Sequence, residues 1–311
     1  MANILVSGSL AYDRIMDFPG FFRDHFLAHK LHSINVSFGV DGVAENFGGT
    51  AGNIAYNLKL LKLDPQIIAT AGSDFVAYKS YLDKLGISTA PIRVDPTERT
   101  SAAYIITDKA DNQIAAFSFG AGKTPYGELP EIETPCAIIG AGNLEDMIAF
   151  PRGYTSRKIR YFYDPAQALP RLSAEDLRYG IENSAGLFGN DYEIELIMQK
   201  TGWNEKDMLA KVPFIVATLG ESGSRIVSKE GAERVDAVHV RDVVDPTGAG
   251  DAYRAGFIAA YLRSAPLRTC AKLGSAVAAY VVEKQGTQNH SFTLPDLRTR
   301  FEVAYGERFP L

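Results

Sequence analysis

Short runs of apolar residues alternate with stretches of helical period along most of this 311-residue chain. NILVSG (3–8), QIIATAG (66–72), CAIIGAG (136–142), IRYFYD (159–164), AGLFGN (185–190) and PFIVATLG (213–220) each read as a buried strand ending in small or polar residues. Between them, apolar spacing predicts helices over 51–62, 75–85, 173–183, 191–200 and 205–211. Continuous apolar strands alternating with helices predict an α/β fold, a mostly parallel sheet with helices on both faces. Ligands of such sheets collect at the carboxyl ends of the strands, where Asp164, Asn190 and Gly220 fall.

Two segments break this pattern. Residues 11–47 hold no convincing helix, and HSINVSFGV (32–40) alternates like a half-exposed strand. Residues 87–119 hold three more alternating runs, ISTAPIRV, TSAAYIIT and NQIAAFSF. Together, about 11–47 and 87–119 predict a small antiparallel sheet over the active face, a lid on one domain spanning 1–311. After residue 250 the pattern is helical, over about 250–264, 266–284 and 295–305. There is no internal repeat and no low-complexity linker.

Composition narrows the function. With 46% hydrophobic residues the chain can bury one large core. A formal net charge of −5 and the absence of long basic runs argue against a nucleic-acid partner. No apolar run approaches a membrane span, and the N-terminus reads as a strand entering a turn rather than as a signal peptide. Cys136 and Cys270 lie far apart in apolar company, as core thiols do. A soluble, cytoplasmic protein is expected.

Candidate chemistry sits in the small-residue turns. In VVDPTGAGDAYRAGF (243–257), Pro246 pushes Asp245 towards an extended conformation. A turn without bulk then opens a helix. Its N–H groups make either an anion cradle or an ordinary capped start, since Asp favours that position. The density of small residues favours the cradle. FGGTAGNIAYNL (47–58) is either a backbone turn approached by a polyol or a tight loop. FGAGKT (119–124) resembles the end of a P-loop, but Phe117 stands where the first glycine belongs and no helix follows, so it reads as a lid turn. No dinucleotide fingerprint follows any strand. His25, His29 and His32 have helical spacing without a completing carboxylate, and read as a solvated segment.

Taken together, GGTAGN, GNDYE, TLGESG and DPTGAGDAYRAG resemble, in order and spacing, the motifs of the ribokinase-like (PfkB) family, with nucleoside kinases nearest. The last differs from the signature D-T-x-G-A-G-D by Pro246 between the acid and Thr247. The resemblance covers essentially the whole chain. It implies a three-layer fold with a β-lid and an ATP-dependent kinase. Asp251 is then the catalytic base, with Gly248, Ala249 and Gly250 as its anion hole. Asn190 and Glu193 match the family's N-x-x-E, which orients phosphate and hydrated Mg²⁺, and Asp164 would serve the same metal through water. Thr218, Gly220 and Gly223 match the ATP loop. Asp245 and Thr247, with carbonyls near Val282 and Gly286, would hold K⁺.

On the substrate side Asp13, Gly48, Gly49 and Asn53 match the ribose contacts. Ala11 stands where ribokinases carry a polar residue and Thr50 where they carry lysine, and both departures weaken a free-ribose assignment. EKQGTQNHSFT (283–293) is similar to the corresponding segment of nucleoside kinases. Phe38, Phe117 and Phe119 are candidates to stack a base, or simply lid core. Arg254, three residues after Asp251, reads as a surface ion pair or as a contact to Asp251 or phosphate. The expected reaction is phosphorylation of the 5′-hydroxyl of a purine ribonucleoside such as adenosine. The alternatives are a kinase of ribose, fructose or a sugar phosphate, for which Lys30 and Arg23 form no basic cluster, and a non-catalytic nucleotide-binding regulator. A homodimer through the lid is compatible with the pattern.

Overall fold

The computed structural model describes residues 3–26, 35–110 and 112–311. Lys30, His29, His32 and the first residues of the 32–40 run lie outside them. The chain runs β1 (Asn3–Ser7), β2 (Ala11–Asp17), β3 (Val43–Gly48), α1 (Thr50–Leu60), β4 (Asp64–Ile68), β5 (Thr70–Gly72), α2 (Val76–Lys84), β6 (Arg93–Asp95), β7 (Ser101–Thr107) and β8 (Gln113–Ser118). It continues with β9 (Cys136–Ile139), α3 (Leu144–Ser156), β10 (Arg160–Tyr163), α4 (Ala174–Glu182), β11 (Gly186–Asn190), α5 (Asp191–Thr201), α6 (Glu205–Leu209) and β12 (Phe214–Thr218). An edge hairpin, β13 (Ser224–Ser228) and β14 (Gly231–Val235), precedes α7 (Ala249–Tyr261), α8 (Leu267–Val282) and α9 (Leu294–Tyr305).

Eight strands form the main sheet in the order β14-β13-β12-β11-β10-β9-β1-β4. All pairings from β12 to β4 are parallel, and the β13–β14 hairpin joins antiparallel. Strand periodicity divides the apolar residues between two cores. Ile4, Val6, Ile138, Phe162, Phe188 and Val216 pack with residues of α1, α7 and α8. Their neighbours Leu5, Ile139, Tyr163, Leu187 and Ile215 face the opposite side, with residues of α3, α4 and α5. Both faces are covered, which is why these strands are apolar without alternation. Cys136 and Cys270 are buried, free core thiols. Among the described residues no helix is long and apolar enough to cross a membrane.

A second sheet, β3-β2-β7-β8, follows directly from the end of β1. Its strands come from the two expected segments, with three differences. The sheet is mixed rather than antiparallel: β2–β3 and β7–β8 pair antiparallel, but β2 pairs with β7 in parallel, since a long crossover rather than a hairpin joins the two halves. The 87–94 run does not join it. β6 instead pairs in parallel with β5, and Ile87 and Ile92 enter the main core. Residues 35–40 form no strand, and the pairing strand is β3. Helix α3 is a helix that apolar spacing does not single out, because Pro151 and Gly153 interrupt it. Tertiary burial of Met147, Phe150 and Tyr154, with Asn143 Oδ1 accepting from the amides of Glu145 and Asp146, carries it through.

The small residues of α7 serve packing. A Cβ on Gly256 would lie 2.7 Å from the Leu273 carbonyl oxygen and 2.8 Å from Gly274 Cα, both backbone atoms of α8. The two helices therefore touch backbone to backbone, and this contact sets where the N-terminus of α7 points. Gly256→Val is expected to lower unfolding free energy by about 2–3 kcal/mol through overpacking, measured by urea denaturation.

Candidate active site

Three chain segments meet at the carboxyl ends of the main strands. The first is the turn from β3 into α1. Gly49 holds φ +87, and a Cβ there would lie 2.5 Å from the Ser9 carbonyl oxygen. A side chain on Gly48 would collide with the Asp13 carboxylate. These two glycines let the α1 start pass directly over the β1–β2 connection. Thr50 locks the crossing: its Oγ1 donates to the Ala141 carbonyl at 2.6 Å and accepts from the Ser9 amide at 3.1 Å. Asn53, one turn in, donates Nδ2–H to Asp251 Oδ2 at 2.8 Å.

The second segment is the start of α7. Gly248 caps it at φ +80, in the left-handed region that favours glycine. Ala249 N–H turns back to the Pro246 carbonyl at 3.2 Å. Among the described residues, no protein acceptor takes the N–H of Gly248, Gly250 or Asp251. Those three residues line the cleft and Ala249 does not. The open amides of this turn are thus at 248, 250 and 251, where the expected set was 248–250. Such amides at a helix N-terminus present positive potential to an anion.

The third segment supplies charge. Arg254 is not on the surface. Its Nε and Nη2 donate to the two oxygens of Asp164 at 2.8 and 3.2 Å, and Nη1 donates to the Gly250 carbonyl at 3.1 Å. Both side chains are buried. Asp164 is therefore the counter-ion of Arg254, and the expected water-mediated metal role has no free carboxylate behind it. Removing one partner of a buried pair costs about 3–5 kcal/mol, because the other charge is stranded.

Asn190 and Glu193 form a capping box on α5. Asn190 Oδ1 accepts from the Glu193 amide and Glu193 Oε2 from the Asn190 amide, each at 2.7 Å. Both still face the cleft, as do Thr218 and Gly220. Gly223 does not: it shapes the β12–β13 turn at φ +85, where a side chain would strike the Val235 carbonyl. Asp245 acts as a clamp. Its Oδ1 accepts from the Thr247 amide at 2.9 Å, and its Oδ2 from the Gly286 amide at 2.9 Å and Gln285 Nε2 at 3.2 Å. The Val282 carbonyl takes the amides of Val244 and Asp245. Among the described residues, no three His, Cys, Asp or Glu side chains converge on a point where they would hold a metal.

The cleft encloses roughly 600 Å³, and Asp13, Asn53 and Asp251 line it together. Burial pushes Asp251 up to about 7, against the opposing Asn53 hydrogen bond and the Arg254 charge, with Asp164 and Asp13 adding repulsion. Burial, helped by Asp245, pushes Asp13 up to about 6. Glu193 is also raised by burial. A base that ionises near neutral pH is matched to proton abstraction.

A second chamber of about 330 Å³ opens off the cleft through Ser9, Phe117 and Gln167, which line both. Its walls include Leu10, Ala69, Ala141 and Ala168, with Phe119 beside Phe117 in an edge-to-face pair at 5.1 Å. Phe38 is elsewhere, packed with Phe18, Phe22 and His25. Sequence reading missed Ser9, Gln167 and the whole chamber, since its wall comes from six separate segments. It also left Gln288 unassigned within the 283–293 motif, although Gln288 Nε2 donates to Asn53 Oδ1 at 3.0 Å.

The family model for pfkB family carbohydrate kinases matches residues 1–294. A nucleoside kinase of Methanocaldococcus jannaschii is 33% identical over 282 residues, 89% of this chain and 92% of that protein. The structure of Burkholderia thailandensis nucleoside kinase in complex with inosine superposes with a TM-score of 0.86 at 36% identity, covering 98% of this chain and 99% of that one. The same enzyme in complex with ADP-inosine gives 0.85 at 37% identity, covering 98% and 97%.

The raised acids have a thermodynamic signature. An unfolded aspartate ionises near 3.9, whereas Asp251 in the fold does so at about 7. Between those values the native chain holds a proton that the unfolded chain has released. Stability is therefore greatest below the unfolded value, falls as pH rises to about 7, and then levels. Asp251→Asn removes this loss. The variant is expected to be more stable than the parent at pH 8 by about 2–4 kcal/mol, with the gap closing towards pH 4. Urea midpoints across that range measure it, and a gap independent of pH would contradict the burial of the charge.

Proposed function

The chain belongs to the pfkB family of carbohydrate kinases and is a phosphotransferase with an alcohol group as acceptor; from that premise we propose that it transfers the γ-phosphoryl group of ATP to the 5′-hydroxyl of a ribonucleoside, a purine nucleoside such as adenosine, inosine or guanosine, giving the monophosphate. The observation that carries the nucleoside reading is the pair of joined spaces: a polar cleft around Asp13, Asn53 and Asp251, and an apolar, aromatic-edged chamber beside it. A free sugar fills only the first. A nucleoside needs both, one for its ribose and one for its base. The nucleoside kinases among its relatives, one of them bound to inosine, support the same reading.

In this reading the Asp13 carboxylate accepts two vicinal ribose hydroxyls, and Asn53 and the bare backbone at Gly49 bracket the sugar. The base lies in the chamber with Phe117 and Phe119 at its edge, where aromatic stacking adds to apolar burial. The 5′-hydroxyl then faces Asp251, which takes its proton as the oxygen attacks phosphorus. The amides of Gly248, Gly250 and Asp251 receive charge from the transferring group, with Arg254 behind the Gly250 carbonyl. Thr218 and Gly220 border the nucleotide. The small sheet, which carries Asp13 and Phe117, serves as the lid that excludes water.

The residues present fit Mg²⁺ as an ion carried on the nucleotide phosphates. Glu193 Oε1 has no protein partner among the described residues and faces the cleft, where it would hold the ion through water. Mg²⁺ bound there would neutralise phosphate charge. Of the set expected for K⁺, the Asp245 carboxylate already takes three N–H donors and the Val282 carbonyl two. No step is derived through K⁺.

Asp251→Asn is expected to lower kcat for inosine by about 10²–10⁴-fold, while calorimetry shows inosine still bound. Near-normal turnover would remove Asp251 from the reaction. ADP release across a panel of nucleosides and sugars separates the substrate classes. Nucleosides are expected to lead, and the paired change Phe117→Ala, Phe119→Ala is expected to raise KM for nucleosides about tenfold or more with ribose turnover unchanged. Faster turnover of ribose, fructose or a sugar phosphate than of any nucleoside would reverse the assignment.

A further inference from the structure

The loop after α8 is tied to α1 at two depths. Its residue Gln288 is buried, and its Nε2 donates to Tyr78 Oη at 2.7 Å and to Asn53 Oδ1 at 3.0 Å. One helical turn deeper, His290 Nε2 meets Asn57 Oδ1 at 2.9 Å. Amide orientation along these contacts follows from groups that can play only one part. The Gly48 carbonyl can only accept, and Tyr78 Oη–H donates to it at 2.9 Å. Tyr78 has one proton, so its oxygen is left as an acceptor towards Gln288. Gln288 must then present its NH₂, whose second proton reaches Asn53 Oδ1. Asn53 in turn must present Nδ2–H to Asp251. The lower tie obeys the same logic. Asn57 Nδ2 donates to the Asn53 carbonyl at 2.9 Å, which leaves Oδ1 to accept from His290 and puts the imidazole proton on Nε2.

We propose that Gln288 is a positioning residue for the phosphoryl transfer: it fixes the side-chain amide of Asn53 so that Asn53 donates to Asp251 rather than opposing it with a carbonyl oxygen. The alternative orientation sets Asn53 Oδ1 against a carboxylate oxygen at hydrogen-bond distance. Two acceptors share such a contact only if one carries a proton, so Asp251 would already hold the proton it has to remove from the hydroxyl. Gly52 permits the arrangement, since a side chain there would collide with Tyr78 Oη and crowd Gln288 Nε2 at 3.1 Å. Gln288 does not line the cleft, so it acts through Asn53 alone.

The other charges that bear on Asp251 are Arg254 on its own helix, Asp164 after β10 and Asp13 on β2. None of these contacts Gln288, and His290 on the same loop faces Asn57, held neutral by burial, which pushes it down to about 4. The proposal rests on Asp251 as the base, but its test reads the carboxyl itself and needs no substrate. A wrong acceptor assignment therefore leaves the test standing.

Carboxyl ¹³C NMR of labelled aspartate follows Asp251 through a pH titration in the full chain. Gln288→Met, similar in shape but without a donor, is expected to raise the Asp251 midpoint by about one pH unit, the scale of a lost hydrogen bond to a carboxylate. In an Asn53→Ala background the same change is expected to add nothing, because the intermediary is gone. An unmoved midpoint in Gln288→Met, or an equal shift with and without Asn53, overturns the proposal. Should Gln288→Met fail to fold, the unaltered protein still decides. Both side-chain amide protons of Gln288 are expected to exchange slowly with solvent, and rapid exchange of either overturns the inference.

Discussion

A buried positive charge organises the working end of this molecule. Arg254 lies one turn inside α7, with a carboxylate on one side and the carbonyl of its own helix start on the other. The parallel strands end here, and Asp164 after β10, Glu193 on α5, Asp251 on α7 and Asp13 from the small sheet meet in one cleft. Burial, with repulsion from neighbouring carboxylates, raises Asp13, Glu193 and Asp251 above their ordinary values. The guanidinium pairs with Asp164 and opposes that rise at Glu193 and Asp251. The backbone-to-backbone contact of α7 with α8 keeps that charge at its depth.

Direction matters as much as charge. The Asn53–Asp251 contact is a hydrogen bond only with the amide turned one way, and the two ends of the amide are alike in shape though not in chemistry. The choice comes from backbone carbonyls, which never donate, passed along through Tyr78 and Gln288. A similar economy appears at the start of α7, where residues without bulk leave the backbone amides of Gly248 and Gly250 bare.

Much of this was legible in the sequence. Five of the six buried strands and eight helices follow from apolar period, because a strand covered on both faces has no polar position to spare; the 66–72 run divides instead between β4 of the main sheet and β5, which pairs apart from it. The small-residue turns at 47–53 and 245–251 stood out for a local reason: only residues without bulk let the backbone approach a ligand or another chain segment. Where local signals competed with burial, the reading failed. Helix α3 carries a proline and a glycine, and only its buried face reveals it. The 87–94 run has the right period for a strand but pairs with β5, since alternation says nothing about which edge a strand joins.

Sequence by itself determined the fold class, the turns and the identity of the acids, because these depend on period, bulk and charge along the chain. Tertiary structure decided what each acid does. Asp164 pairs with a residue ninety positions away, Asn53 with one almost two hundred away, and the apolar chamber is closed by six segments. Electrostatic roles depend on distance and burial, which no local pattern encodes. The same carboxylate pairs with a guanidinium, clamps backbone amides or takes an asparagine amide according to what folding sets beside it.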